Sequence, residues 1–279
     1  MKLHPGSRRA PCRRIERGGS ARLTDAVVIE EPLELRVDGE AVATIMRTPG
    51  SDRRLSAGFF LSEGWISGPA DIGSIALCGA RGPKDGENVA DLIRAPGASP
   101  AAPWAAVRSL AATSSCGVCG KRTIDDVLGA VRGARKLRGR RRELFPAGTL
   151  LAIPAALRKR QVIFAATGSL HAAGLFTPSG DLLMVEEDVG RHNAVDKVIG
   201  WALLERDLPL RGAGLQVSGR VSFEIVQKAH RAGIPLVSAV SGVSSLAVDL
   251  AKRAGITLVG FVRGSSLTVY THPERIAPP

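Results

Sequence analysis

Alternation of apolar and polar residues marks the first regular elements. Leu33, Leu35 and Val37 alternate up to Asp38-Gly39, and Val42, Thr44 and Met46 resume the pattern, which predicts two strands joined by a tight turn. From Ser51 the spacing of Leu55, Phe59 and Phe60 predicts a short helix that Gly64 closes. Apolar runs at Ser74 to Cys78 and Val89 to Ile93, separated by Gly82-Pro83-Lys84-Asp85-Gly86, predict a second hairpin. A helical stretch is expected at Ala105 to Ala111. The later half is more regular. Strand patterns at Leu182 to Glu186, Leu215 to Ser218, Pro235 to Val240 and Thr257 to Val262 alternate with helical patterns at Ala194 to Glu205, Ser222 to Ala232 and Ser244 to Ala254. This order predicts a mainly parallel sheet covered by helices. Ligands of such sheets collect at the carboxyl ends of the strands, here near Glu187-Asp188, Ser218-Gly219-Arg220, Ser241-Gly242 and Arg263-Gly264-Ser265.

Composition narrows the class. With 279 residues and 44% hydrophobic content the chain can bury a substantial core, and 4% aromatic content argues against a stacking platform for single-stranded nucleic acid. No apolar run reaches the length of a membrane span, and no apolar stretch follows the basic N-terminus as in a secretory signal, so a cytoplasmic protein is expected. Residues 1–22 carry Lys2, Arg8, Arg9, Arg13, Arg14, Arg17 and Arg22 and read as a flexible basic arm. A small α+β unit is expected over 23–112, a linker over 113–145 with seven basic residues between Arg132 and Arg142, and an α/β domain over 146–279.

Of the four cysteines, Cys12 and Cys78 are isolated in sequence, whereas Cys116 and Cys119 form a close pair. A pair at this spacing can hold a metal, form a redox disulfide, relay a sulfur atom or sit inert in a loop. Structural zinc calls for a second ligand pair, and a thioredoxin-like pair opens a helix after a strand rather than following an Ala-rich segment. Gly117 and Gly120 give the loop reach, and Lys121 and Arg122 favour a thiolate, as a persulfide carrier needs. A second cluster follows at Glu187 to Ala194. Arg191 offers a fork for phosphate, His192 an imidazole, and Asn193 is read as the cap of a helix whose first amides could bind an anion. His171 reads as a core histidine or as a ligand or base, and Phe261 to Ser266 as a hairpin turn or a phosphate cradle.

Five segments in order resemble the formate dehydrogenase accessory sulfurtransferase family (FdhD/NarQ). They are Gly58-Phe59-Phe60-Leu61-Ser62-Glu63-Gly64, Cys116-Gly117-Val118-Cys119-Gly120, Thr167-Gly168 with His171, Glu187 to Lys197, and Ser218-Gly219-Arg220. The resemblance runs from about residue 20 to the C-terminus. It implies a homodimer with a cytidine-deaminase-like α/β domain, a sulfur carrier that takes sulfur from a cysteine desulfurase and passes it to the molybdenum cofactor in its bis(molybdopterin guanine dinucleotide) form for formate dehydrogenase. Cys116 then corresponds to the persulfide carrier with Cys119 assisting, and Phe261, Val262, Arg263, Gly264, Ser265 and Ser266 to the dinucleotide segment. Arg191, His192 and Arg220 are the further residues expected near that cargo, and no resident metal is expected.

The implied fold does not carry zinc deaminase chemistry with it, because the cysteine pair lacks a preceding proline and comes before His171 and His192. The net charge of +12 suits an electropositive cleft for pyrophosphates. It also keeps two alternatives in view, a basic nucleic-acid-binding protein, which lacks a recognisable reading module, and a zinc-held structural factor.

Overall fold

The computed structural model describes residues 4–79, 88–101, 145–206 and 208–278. Two sheets and the helices between them share one apolar core. The first sheet has four strands in the order β4-β3-β6-β5, where β3 is Glu31–Val37, β4 Glu40–Arg47, β5 Ile72–Cys78 and β6 Val89–Arg94. The alternation read from sequence places Leu33, Leu35 and Val37 of β3 in the core. Helix α1, Asp52–Glu63, ends where expected, at Gly64, whose φ of 82° is left-handed and costs a glycine little.

The second sheet has six strands in the order β13-β12-β11-β10-β8-β9. These are β8 His171–Phe176, β9 Leu182–Asp188, β10 Gly214–Val217, β11 Leu236–Ala239, β12 Thr257–Arg263 and β13 Ser266–Thr271. Helices α4 (Arg191–Glu205), α5 (Phe223–Arg231) and α6 (Ser245–Ala254) supply the crossovers. The sheet is mixed rather than mainly parallel. β10, β11 and β12 pair in parallel, but β8 runs against both β9 and β10, and β13 against β12. The connections explain this, since the short turns after Phe176 and Arg263 leave no room for a crossover. Two helices that the sequence pattern does not predict precede β8: α2, Ala147–Arg160, which contains Pro154, and α3, Val162–Thr167.

The expected flexible arm is a hairpin. β1 (Ser7–Glu16) pairs in antiparallel register with β2 (Gly19–Val28), turning at Arg17-Gly18. Charge dominates this segment in sequence, yet Arg8, Ala10, Cys12 and Arg14 alternate with Arg9, Pro11 and Arg13, and a ribbon solvated on both faces needs no apolar alternation. The linker expected over 113–145 and the helix at 105–111 lie outside the described residues, except for Phe145, which opens the two-residue strand β7.

The two halves meet where α1 crosses α4, and here packing sets the geometry of everything beyond. A side-chain carbon on Gly58 would collide with the backbone of Asp196, and one on Gly200 with the backbone of Arg54. Two glycines thus let the helix backbones touch. Leu55, Phe60, Val195 and Ile199 fill the flanks of the joint, in the same core cluster as Leu35 of the first sheet and Val237 of the second. Each such side chain contributes roughly 1.5 to 3 kcal/mol of hydrophobic stabilisation.

Candidate functional site

Strand direction assembles one edge of the second sheet. β9, β10, β11 and β12 all end there, and antiparallel β8 begins there, so His171, its first residue, faces Asp188, the last of β9. The loop after β10 is pinned beside it: Ala172 N donates to Ser218 Oγ at 2.8 Å, and Ser218 N donates to Ala172 O at 2.9 Å. Farther along the edge Val221 N donates to Gly242 O at 3.0 Å, and Phe261 N donates to Ser241 O at 3.0 Å. Residues far apart in sequence therefore line one rim.

The Glu187 to Lys197 segment divides between scaffold and rim. Asp188 is fully buried and lies 2.8 Å from Lys197 Nζ; it also accepts from Thr48 N, Gly190 N and Asn193 Nδ2. Glu187 accepts from the Ile163 and Phe164 amides, both at 2.8 Å, and so caps α3. The expected capping role of Asn193 is not what the structure shows. α4 starts at Arg191 after Gly190, and Asn193, a turn further in, donates to Asp188 and to Met46 O. His192 is buried, with Nε2 3.0 Å from Ser222 Oγ and 3.3 Å from Glu224 Oε2, and ties α4 to α5 rather than facing the rim. Arg191, one residue earlier and about 100° around the helix, lies beside Gly219.

Gly219 matters because it has no side chain. A carbon there would come 3.3 Å from His171 Nδ1 and 3.6 Å from Arg191 Cδ, so the imidazole and the guanidinium stem flank bare backbone. Arg220 follows and is exposed. Burial, then the charges of Arg191 and Arg220, push the His171 pKa below its ordinary value against the opposing pull of Asp188.

The Phe261 to Ser266 segment forms the end of β12 and its turn. Phe261 is held at a left-handed φ of 51° and stays 44% exposed, its ring lying over Gly242. Arg263 donates from Nε to Val240 O at 2.7 Å, and its guanidinium lies 5.8 Å from the Phe261 ring centre. Gly264, Ser265 and Ser266 are exposed in the turn, whereas Val262 is buried in the second core cluster and offers only backbone. Cys116 and Cys119 lie outside the described residues. Cys12 and Cys78 are exposed free thiols. Among the described residues no three His, Cys, Asp or Glu side chains are placed to share a metal ion, and no helix is long and apolar enough to cross a membrane.

Sequence reasoning missed the buried charges of the joint. Lys228 of α5 meets Asp196 of α4 at 2.7 Å, Ser62 of α1 donates to the same carboxylate at 2.9 Å, and Glu63 lies 3.7 Å from the ammonium.

Arginines, an imidazole and an exposed aromatic ring lie along the strand-end rim of a mixed sheet, and fold and rim together define an α/β protein whose candidate site is at the strand ends. The FdhD/NarQ family model matches residues 28–277, and the chain belongs to that family. It is 49% identical over 258 residues to the sulfur carrier protein FdhD of Mycobacterium tuberculosis, covering 90% of this chain and 92% of that protein. With the sulfur carrier protein FdhD of Streptomyces coelicolor it shares 47% identity over 267 residues, 95% of this chain and 93% of the other. A crystal structure assigned as a formate dehydrogenase accessory protein from Desulfotalea psychrophila superposes with a TM-score of 0.74 at 25% identity, covering 97% of this chain and 99% of that one.

Proposed function

We propose that this protein is a cytoplasmic sulfur carrier serving formate dehydrogenase. Cys116 attacks the persulfide of a cysteine desulfurase: a new S–S bond forms on Cys116 Sγ, the donor's S–S bond breaks, and the donor cysteine leaves as a thiolate. Cys119 assists. The outer sulfur is then handed to the molybdenum cofactor, carried as bis(molybdopterin guanine dinucleotide) cargo on the strand-end rim: the S–S bond on Cys116 breaks, Cys116 returns to the thiolate, and the cargo would supply the two electrons that bring the transferred sulfur to the sulfide level. The working form is a homodimer.

The observation that carries this reading is the 49% identity, over nine-tenths of the chain, to proteins named as sulfur carriers. The rim fits such a cargo. Arg191, Arg220 and Arg263 suit pyrophosphate oxygens, and the exposed Phe261 ring offers a stacking face for a guanine or pterin plane. Lys121 and Arg122 beside the cysteine pair favour the thiolate that nucleophilic attack requires.

The test begins with desulfurase and cysteine. Mass spectrometry should find added sulfur on Cys116, and a Cys116→Ala variant should fail to support active formate dehydrogenase. Full enzyme activity with that variant would overturn the proposal.

A further inference from the structure

The imidazole of His171 has no task in the sulfur relay, yet it stands within the field of two rim arginines, Arg191 and Arg220. Three elements converge there: β8 brings His171, α4 brings Arg191, and the loop after β10 brings Gly219 and Arg220. We infer that His171, Arg191 and Arg220 form a single diphosphate-binding pocket over the Gly219 backbone, and that His171 takes up a proton when the anion binds. The inference rests on the proposed dinucleotide cargo and names the part of the rim that would hold its phosphates.

Four observations support it. The nearest acid, Asp188, is committed to Lys197 and to three hydrogen-bond donors, and among the described residues no carboxylate pairs with Arg191 or Arg220. Arg191 Nε is buried without a hydrogen-bond partner among those residues, which is costly unless a ligand supplies the acceptor. Gly219 leaves open the space between imidazole and guanidinium that any side chain would fill. Ser218 and Ala172 lock the loop to β8, so the pocket is held in place before a ligand arrives.

The charge balance gives the proton. Among the described residues the charged groups facing His171 are Arg191 from α4, Arg220 from the β10 loop and Asp188 from β9, while α3 contributes none. Burial and the two arginines disfavour the imidazolium. A diphosphate placed among them reverses the sign of the local field and favours the imidazolium, whose N–H then donates to a phosphate oxygen. Affinity therefore rises as pH falls through the His171 pKa of the bound state and levels off below that of the empty state. The slope reaches about tenfold per pH unit where one full proton is taken up.

The experiment uses the full chain and sodium diphosphate as probe. Titration calorimetry in buffers of different ionisation heat, on both sides of neutrality, should show proton uptake on binding in the wild type. His171→Gln should bind with the uptake reduced to what the ionisation of diphosphate itself supplies, and with a correspondingly shallower pH profile. Proton NMR of the wild-type His171 ring gives a readout without a variant: its titration midpoint should rise when diphosphate is added. Absence of diphosphate binding, or uptake unchanged in His171→Gln, overturns the pocket. Guanosine diphosphate forms the second arm. If it binds more tightly than diphosphate and with the same uptake, pocket and cargo are both supported. If diphosphate binds with uptake and the guanosine adds nothing, the pocket stands and the guanine cargo falls. If guanosine diphosphate binds with no response from His171, the pocket falls and the cargo stands.

Discussion

The Lys228 ammonium meets both carboxylate oxygens of Asp196, at 2.9 and 2.7 Å, inside the joint where α1 crosses α4. Both residues are almost fully buried, and Ser62 and Glu63 bring the first half of the chain into the same contact. The Gly58 to Gly64 segment is thus a structural latch between the two sheets.

Lys228→Met should destabilise the fold by about 3 to 5 kcal/mol, because Asp196 would remain as a buried charge without its cation. Adding Asp196→Leu to that variant should recover much of the loss. Urea unfolding of both variants measures the difference. Burial opposes the Lys228 charge, but Asp196, Glu63 and Glu224 outweigh it and raise the pKa above the usual lysine value. The stabilisation that Lys228 contributes is therefore present below the unfolded lysine pKa while Asp196, whose pKa burial raises, stays ionised, and it is lost as pH rises through the higher folded lysine value. Alkaline unfolding should begin earlier in Glu63→Gln.

Gly58→Ala and Gly200→Ala should each cost roughly 3 kcal/mol or more, since the added methyl group meets backbone that cannot rotate away. Gly148→Ala, whose added carbon would meet open space, is the control and should leave the thermal midpoint within a few degrees.

Asp71 should make part of the stability sensitive to acid. Burial raises its pKa, yet the amides of Ser67 at 2.6 Å and Ser99 at 2.8 Å outweigh burial and hold it below the usual carboxylate range. A depressed folded pKa gives stabilisation that is present above the unfolded value and lost as pH falls through the folded one. Asp71→Asn should lower stability at neutral pH by about 2 kcal/mol and flatten the acid limb of a stability profile.

Phe261→Gly should separate strain from recognition. The substitution relieves a left-handed backbone worth about 1 kcal/mol, so the thermal midpoint should hold or rise. Binding of guanosine diphosphate should weaken in the same variant, as the exposed ring over Gly242 is lost. A fluorescence titration with a labelled guanine nucleotide reads both wild type and variant.

Local chemistry made the first sheet legible: Asp38-Gly39 turns β3 into β4, and Gly64 stops α1, each for reasons confined to a few residues. Strand direction was legible only where a helix intervenes. β8 and β13 run the other way because their connections are short, and α2 is hidden in the sequence because Pro154 sits inside it. At the rim, Arg191 and His192 read as one cluster in sequence, but a helix turns neighbours to different faces, and only Arg191 reaches Gly219. His171 could be weighed but not placed, since its position depends on which end of β8 meets the ends of β9 and β10. The buried Asp196 to Lys228 pair joins residues on different helices, which no local pattern reveals.

Because β8 runs counter to its neighbours, the imidazole's location is set by the segment leading into the strand rather than by the turn at its exit. One residue inserted between Thr167 and His171 would displace the ring from the guanidinium beside it. The same insertion in the turn after Phe176 would be absorbed at the opposite end of the molecule. Tolerance to length change is thus unequal between the two ends of this one strand.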